Sequence, residues 1–278
     1  MKHTMGIIGF GGMGNHHYKH VTQEIDRLTV KGVYDIKDER AEYARSLGMQ
    51  AYGSAEELLS DSEIDLVLVA TPNNWHKHYV EAALRAGKNV ICEKPVMMNS
   101  EELEQVMETA KQCGKVFTVH QNRRWDRDYL LVKRELESGT LGKPFFIESR
   151  VEGARGIPGD WRCTKVAGGG MMLDWGVHLI DQMLMMIDSP VSEIYAQVLN
   201  VKYQNPENDV DDNLKINMKF KNGVCAMIEV GTYNMLTLPR WYVCGDKGTM
   251  KIDDWGSGAD IVYAKDVEMV WENSIIYT

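Results

Sequence analysis

In the first 122 residues the chain alternates between two hydrophobic rhythms. Short apolar runs recur at Met5–Ile8, Leu28–Tyr34, Leu66–Ala70, Asn89–Cys92 and Val116–Val119, each the length of a strand. Between them lie helical stretches with clear punctuation. Ser54-Ala55-Glu56-Glu57 has the form of a capping box, and Asn99 with Glu102 repeats it. Gly48, Gly87 and Gly114 each close a helical stretch, where a left-handed residue is wanted. Strands alternating with helices predict right-handed crossovers and a parallel sheet.

The rhythm changes after Asn122. A helix is expected from about Trp125 to Ser138, stopped by Gly139, then a strand over Pro144–Gly153. A polar, glycine-rich stretch runs from Ala154 to Gly170, and an apolar helix from near Met172 to about Ile187. From Val191 onward strands follow one another through turns such as Lys221-Asn222-Gly223 and Gly245-Asp246-Lys247-Gly248. Asn-Gly between apolar runs is a hairpin signal. The expectation is an α/β protein of two domains. Residues 1–122 form a doubly wound parallel sheet, and 123–278 an α/β domain with a large, open, mostly antiparallel sheet. No internal repeat or low-complexity tract interrupts them.

Composition narrows the classes. The net charge of −9 argues against a nucleic-acid partner, because such binders are more often basic. No apolar run approaches the roughly 20 residues that span a bilayer, which argues against a membrane protein. Lys2 and His3 precede an apolar run that breaks at Gly9 without a cleavage site, so a strand is expected there and not a signal peptide. The five cysteines are odd in number and lack a Cys-x-x-Cys pair. That fits a reducing, cytoplasmic setting with free thiols. Cys163, in a loop expected near the active site, is a candidate for oxidation, although a small packed residue is the simpler reading.

Two motifs carry chemistry. Gly9-Phe10-Gly11-Gly12-Met13-Gly14 has the G-x-G-x-x-G spacing, with a strand before it and a helix after it. Gly9 permits the tight turn, Gly11 lets backbone approach a pyrophosphate, and Gly14 lets the helix pack on the sheet. The phosphates would meet the free N–H groups of the helix N-terminus. Asp35 follows Gly14 by 21 residues, where a carboxylate can accept both adenosine ribose hydroxyls. It favours NAD over NADP, a preference that Lys37 and Arg40 soften. Thr71, Pro72 and Asn73, at the end of the third strand, are expected to line the cofactor, although Asn73 or Asn74 also suits a helix cap.

The second motif is Glu93-Lys94-Pro95. Pro95 disfavours helical geometry at Lys94 and aims its side chain from a strand end. A lysine there can stabilise a developing alkoxide or exchange a proton. In the second half, Asp174 and His178 stand four apart and would share a helical face. A carboxylate beside an imidazole can fix its tautomer and raise its basicity. His16 and His20 share a helical spacing but lack acidic or cysteine partners, so no metal site is expected. Met171, Met172, Met183, Met185 and Met186 read as core filling.

With these residues assembled, the chain resembles the glucose–fructose oxidoreductase / inositol dehydrogenase / rhizopine-catabolism (Gfo/Idh/MocA) family over its whole length. The marks are Gly9–Gly14, Ala70-Thr71-Pro72-Asn73 with His76, Ala86-Gly87-Lys88, Glu93-Lys94-Pro95, Gln121-Asn122-Arg123-Arg124, Gly168-Gly169-Gly170 and Asp174-x-x-x-His178. The resemblance implies a Rossmann domain, and NAD(P)-linked transfer of hydride at a secondary hydroxyl of a sugar or cyclitol. It implies catalytic roles for Lys94, Asp174 and His178, leaving open whether Lys94 or His178 takes the proton. Cofactor contacts are implied at Gly9, Gly11, Gly12, Met13, Gly14, Asp35, Thr71, Pro72, Asn73, His76, Glu93, Lys94 and Gln121. Substrate contacts are expected from Arg123, Trp125, Asp160, Trp161 and Arg162, with Trp161 able to stack on a sugar ring. The open sheet implies a homodimer or homotetramer. The sequence ends at Thr278, several tens of residues short of the family's usual length. Two other functions are open: an NAD-retaining glycosidase or lyase that oxidises its sugar transiently, for which the same residues would serve, and a non-catalytic NAD or sugar sensor, against which the presence of Lys94, Asp174 and His178 argues.

Overall fold

The computed structural model describes residues 2–202 and 210–264; the end of the expected second domain, 265–278, lies outside them. The chain divides into two compact units. The first takes in Met1–Asn122, Ile157–His178 and Asn200–Asp212, and the second Arg123–Gly156, Leu179–Leu199 and Asn213–Thr278. The sequence pattern suggested a single crossing after residue 122. The chain leaves the first unit there but returns to it twice, and the first return brings in Asp174 and His178.

The first unit holds strands β1 (His3–Ile8), β2 (Leu28–Tyr34), β3 (Gln50–Ala51), β4 (Leu66–Val69), β5 (Asn89–Glu93) and β6 (Phe117–His120). All pair in parallel in the order β3-β2-β1-β4-β5-β6. Helices α1 (Gly12–Glu24), α2 (Asp38–Ser46), α3 (Ala55–Ser60), α4 (His76–Arg85) and α5 (Ser100–Cys113) connect them. Alternate strand residues feed two cores. Ile7, Val33 and Leu68 pack with Val21 of α1 and Ala44 of α2, whereas Ile8, Val67, Val69 and Val90 pack with Val80 and Leu84 of α4 and Val106 of α5. A sheet buried on both faces in this way is doubly wound, and each wholly buried Ile or Leu contributes about 1.5–3 kcal/mol. The strand order reverses between β1 and β4, so a crevice for ligands lies outside the carboxyl ends of those strands.

Local signals did what their chemistry requires. The Ser54 side chain accepts Glu57 N–H, and Asn99 accepts Glu102 N–H. The returning carboxylates, however, bind the N–H one residue further out, at Gly53 and Met98. Strand β3 was not expected, because two residues are too few to carry a period.

The second unit holds α6 (Arg127–Ser138), β7 (Pro144–Glu152), most of α7 (Val177–Met186), and β8 (Val191–Leu199), β9 (Asn213–Phe220), β10 (Cys225–Gly231), β11 (Trp241–Gly245), β12 (Gly248–Ile252) and β13 (Asp260–Tyr263). Its seven-stranded sheet runs β13-β12-β11-β7-β10-β9-β8 and is antiparallel except between β7 and β10. Asn222-Gly223 turns β9 into β10, with Gly223 at φ +91°. In β9, Leu214, Ile216, Met218 and Phe220 are buried while Lys219 points out. Asp128 of α6 accepts the Trp241 indole N–H at 2.8 Å and pairs with Arg240, tying the helix to the sheet. Among the described residues no helix is long and apolar enough to cross a membrane.

The single apolar helix expected from Met172 is broken in two. Met172–Gly176 is a π-helical turn, in which Val177 N–H reaches back five residues to Met172 O, and α7 follows. Asp211 holds this turn: its backbone oxygen accepts Met171 N–H and its carboxylate accepts Met172 N–H at 2.6 Å.

Candidate active site

The glycine loop separates into two kinds of glycine. Gly9 has φ +92°, and a Cβ there would lie 2.6 Å from the Ala70 carbonyl oxygen. A Cβ on Gly14 would lie 2.2 Å from Gly9 O. These two are demanded by the protein's own packing. Around a Cβ on Gly12 there is nothing within 4 Å, and beside Gly11 the nearest atom is the Arg40 guanidinium at 3.3 Å. Helix α1 begins at Gly12 with no side-chain cap and no acidic residue in its first turn, so its N–H groups and positive end face outward unopposed. Next to Gly9, Thr71 Oγ1 is buried without a hydrogen-bond partner among the described residues. Open backbone at Gly12, uncapped N–H groups and an orphaned hydroxyl fit the phosphates and polar edge of a dinucleotide.

Asp35 behaves differently from expectation. Its side chain is only 3 % exposed. One oxygen accepts Phe10 N–H at 2.7 Å and Arg40 Nη1 at 3.0 Å, and the other accepts Lys37 N–H at 2.9 Å. The carboxylate therefore braces the glycine loop and holds Arg40 over Gly11. Asn73 and His76 are also turned inward. Asn73 Nδ2 donates to Gly168 O at 2.7 Å, pinning the triple-glycine segment. His76 lies between the Pro95 and Thr71 carbonyls at 2.8 and 3.1 Å, and burial lowers its pKa. It ties the end of β4 to the Lys94-Pro95 bend, whose peptide bond is cis. Pro72 leads extended into the turn Asn73–Trp75. Gly12 and Met13 lie in the first turn of α1.

Lys94 follows β5 directly. Its Nζ contacts Asp174 Oδ1 at 2.7 Å and Asp174 O at 3.0 Å. Burial pushes the Asp174 carboxyl up, but the Lys94 charge and hydrogen bond, then Arg162 and His178, outweigh it and hold the group below the usual aspartate value. Arg162 Nε stands 3.7 Å from Asp174 Oδ2. Its guanidinium also binds Asp160 at 2.6 Å and covers the Trp161 ring at 4.7 Å. Trp161 thus already has a cation on its face, and Asp160 caps its turn through Arg162 N–H.

The expected Asp174–His178 tautomer pair is replaced. Asp174 sits inside the π-helical turn, and its carboxylate is engaged by Lys94 and Arg162. His178 Nδ1 instead meets Gln121 Oε1 at 2.7 Å. Gln121 Nε2 donates to Val177 O at 3.4 Å, which orients the amide with its oxygen toward the ring. In that arrangement Nδ1 carries the proton and Nε2 carries the lone pair. Gln121, expected at the cofactor, orients the histidine. Glu93, also expected there, is 4 % exposed and directed inward.

Arg123 and Trp125 belong to the second unit. Arg123 donates to Asp126 at 2.9 Å and lies over Trp255, and Trp125 is exposed. The neighbouring Arg124 forms a two-point pair with Asp181, which the sequence did not suggest. Cys163 is buried, its thiol directed at Pro158 O, in keeping with a packed residue.

Residues 3–121 match the model described as oxidoreductase family, NAD-binding Rossmann fold, and residues 129–251 match the C-terminal domain model of the same family. The chain belongs to the Gfo/Idh/MocA family. Among its relatives is the myo-inositol 2-dehydrogenase of Thermotoga maritima, 30 % identical over 229 residues, which are 81 % of this chain and 67 % of that one. An oxidoreductase of Schizosaccharomyces pombe is 35 % identical over 66 % of this chain, a match that spans about half of the relative, 52 %. The crystal structure of an NAD-binding protein from Listeria innocua superposes with TM-score 0.90 at 48 % identity, covering 95 % of this Gfo/Idh/MocA chain and 77 % of that one.

Proposed function

We propose that this protein is an NAD-dependent dehydrogenase acting on a secondary hydroxyl of a sugar or cyclitol. The observation that carries the reading is the Lys94–Asp174 contact, made across 80 residues of sequence beside a glycine loop that fits a dinucleotide. The inositol dehydrogenase among the relatives supports the substrate class. A bound NAD would supply the hydride acceptor. His178, its Nδ1–H held by Gln121, takes the hydroxyl proton at Nε2 as general base. Lys94 faces the developing alkoxide as an ammonium, and Asp174 fixes where that ammonium points. Arg162, sharing Asp174, orients the substrate's polar edge. Arg40 over Gly11 favours testing NADP alongside NAD, because a guanidinium at that corner suits a 2′-phosphate.

The test is growth of the reduced-nicotinamide absorbance when the protein is mixed with NAD or NADP and a panel of sugars and polyols. Growth with one substrate, absent in His178→Ala and Lys94→Ala, supports the dehydrogenase. Tight NAD binding with no growth on any of them sinks it in favour of a cofactor-retaining lyase or a sensor. We further propose self-association through the open sheet. The edge strand β8 exposes Ile194, Tyr195, Val198 and Leu199, and sedimentation as a monomer at micromolar concentration would exclude it.

A further inference from the structure

Next to Lys94 lies a cluster that the reaction above does not use. Glu93 Oε1 meets His17 Nε2 at 2.6 Å and His120 Nδ1 at 2.9 Å. The two imidazoles pack edge-on with centroids 4.4 Å apart. His17 comes from α1, the helix whose N-terminus closes the glycine loop, and His120 ends β6. The other Glu93 oxygen accepts the Lys94 N–H at 3.2 Å. Burial pushes the Glu93 carboxyl up, but the hydrogen bonds and charges of His120 and His17 bring it down to about 2. Every described polar contact of this buried carboxylate is thus to the two rings or to the backbone of Lys94.

We infer that His17 and His120 are positioning residues that hold Lys94 through Glu93, linking the phosphate-facing helix α1 to the catalytic ammonium. The physics is that of a buried anion. It keeps one orientation only while its donors are in place. Removing one ring frees Glu93 to turn, and the backbone N–H of Lys94 loses its acceptor. Lys94 Nζ then loses its fixed distance to Asp174. Misplacement of a reacting group by about 1 Å costs on the order of a hundredfold in rate. The inference rests on the reading of Lys94 as catalytic, but its principal test does not need turnover.

That test is the 13C signal of reductively dimethylated Lys94 in the full chain, assigned by its absence in Lys94→Arg. In His17→Ala and His120→Ala the signal should sharpen and move to the position of exposed lysines. His17→Gln and His120→Asn place an amide N–H where Nε2 and Nδ1 stand, and should restore it. With an active substrate, kcat in the alanine variants should fall by about a hundredfold with KM for NAD within about twofold. A Lys94 signal unchanged in folded alanine variants overturns the inference. So does a fall in melting temperature with an unmoved signal, which marks a structural staple alone. One zinc bound per chain and lost in His120→Ala, with the signal unmoved, would overturn it in favour of a metal centre at the same three side chains. Absence of turnover on every substrate would sink the dehydrogenase reading and leave the signal to decide the positioning.

Discussion

The two ends of the candidate site are built by opposite means. At the glycine loop the protein works by leaving side chains out: Gly12 faces open space, α1 starts uncapped, and Thr71 keeps a hydroxyl without a partner. At Lys94 it works by filling: lysine, aspartate, arginine, glutamine, glutamate and three histidines meet one another before any ligand arrives. Backbone donors are fixed by the fold and need little support. A charged side chain is held only by its neighbours, so each one recruits another, and the network spreads over residues distant in sequence. Substitutions at the first end should therefore change binding, and those at the second should change turnover.

The largest effect expected is at the second end. Lys94→Ala and His178→Ala should each lower kcat by about a thousandfold, the range lost with a general acid or base, while NAD titration by fluorescence stays near the parent value. Equal loss of NAD binding would collapse the distinction. Asp174→Asn comes next. It keeps the shape but removes the charge facing Lys94, and should cost about a hundredfold in kcat with KM little changed. Within the loop the glycines should divide. Gly14→Ala drives a Cβ toward Gly9 O and should destabilise by about 1–3 kcal/mol in urea titration. Gly12→Ala should stay within about 0.5 kcal/mol of the parent in stability while weakening NAD binding.

The smallest effects sharpen the comparison. Gln121→Leu removes the acceptor of the His178 Nδ1 proton, and should move the acidic limb of the kcat/KM profile and cost about tenfold at its optimum. Acid unfolding should report Glu93. Its pKa is lower in the folded protein than in the unfolded chain, so its stabilising contribution is whole above the ordinary glutamate pKa and is lost as the pH falls from there toward about 2. Glu93→Gln should flatten that part of the stability curve.

How much of this could be read in the chain follows the same division. The glycine loop, the capping residues and the strand runs are local, so neighbouring letters carry them. Lys94, Asp174 and His178 were legible as individual residues because Glu-Lys-Pro and Asp-x-x-x-His are short motifs. Their partners were not. Gln121 and Asp35 stand where a cofactor contact was expected, yet each has its hydrogen bonds inside the protein. Arg162 was expected as a substrate contact and not as a partner of Asp174, and His17 and His120 gave no signal, because contacts between α1, β5, β6 and a returning segment have no spacing to detect. The π-helical turn at Met172–Gly176 was missed for a related reason: a periodic apolar pattern does not mark one inserted residue.

That inserted residue sets the phase of everything after it. An α-helix advances about 100° per residue, so deleting Trp175 or Gly176, the residues of the turn that lie after Asp174, would shorten the Asp174–His178 spacing to three and rotate His178 relative to Asp174. The aspartate would stay beside Lys94 while the imidazole turned off Gln121. A single-codon deletion could thus uncouple the proposed proton acceptance from lysine orientation without changing the identity of any candidate catalytic side chain.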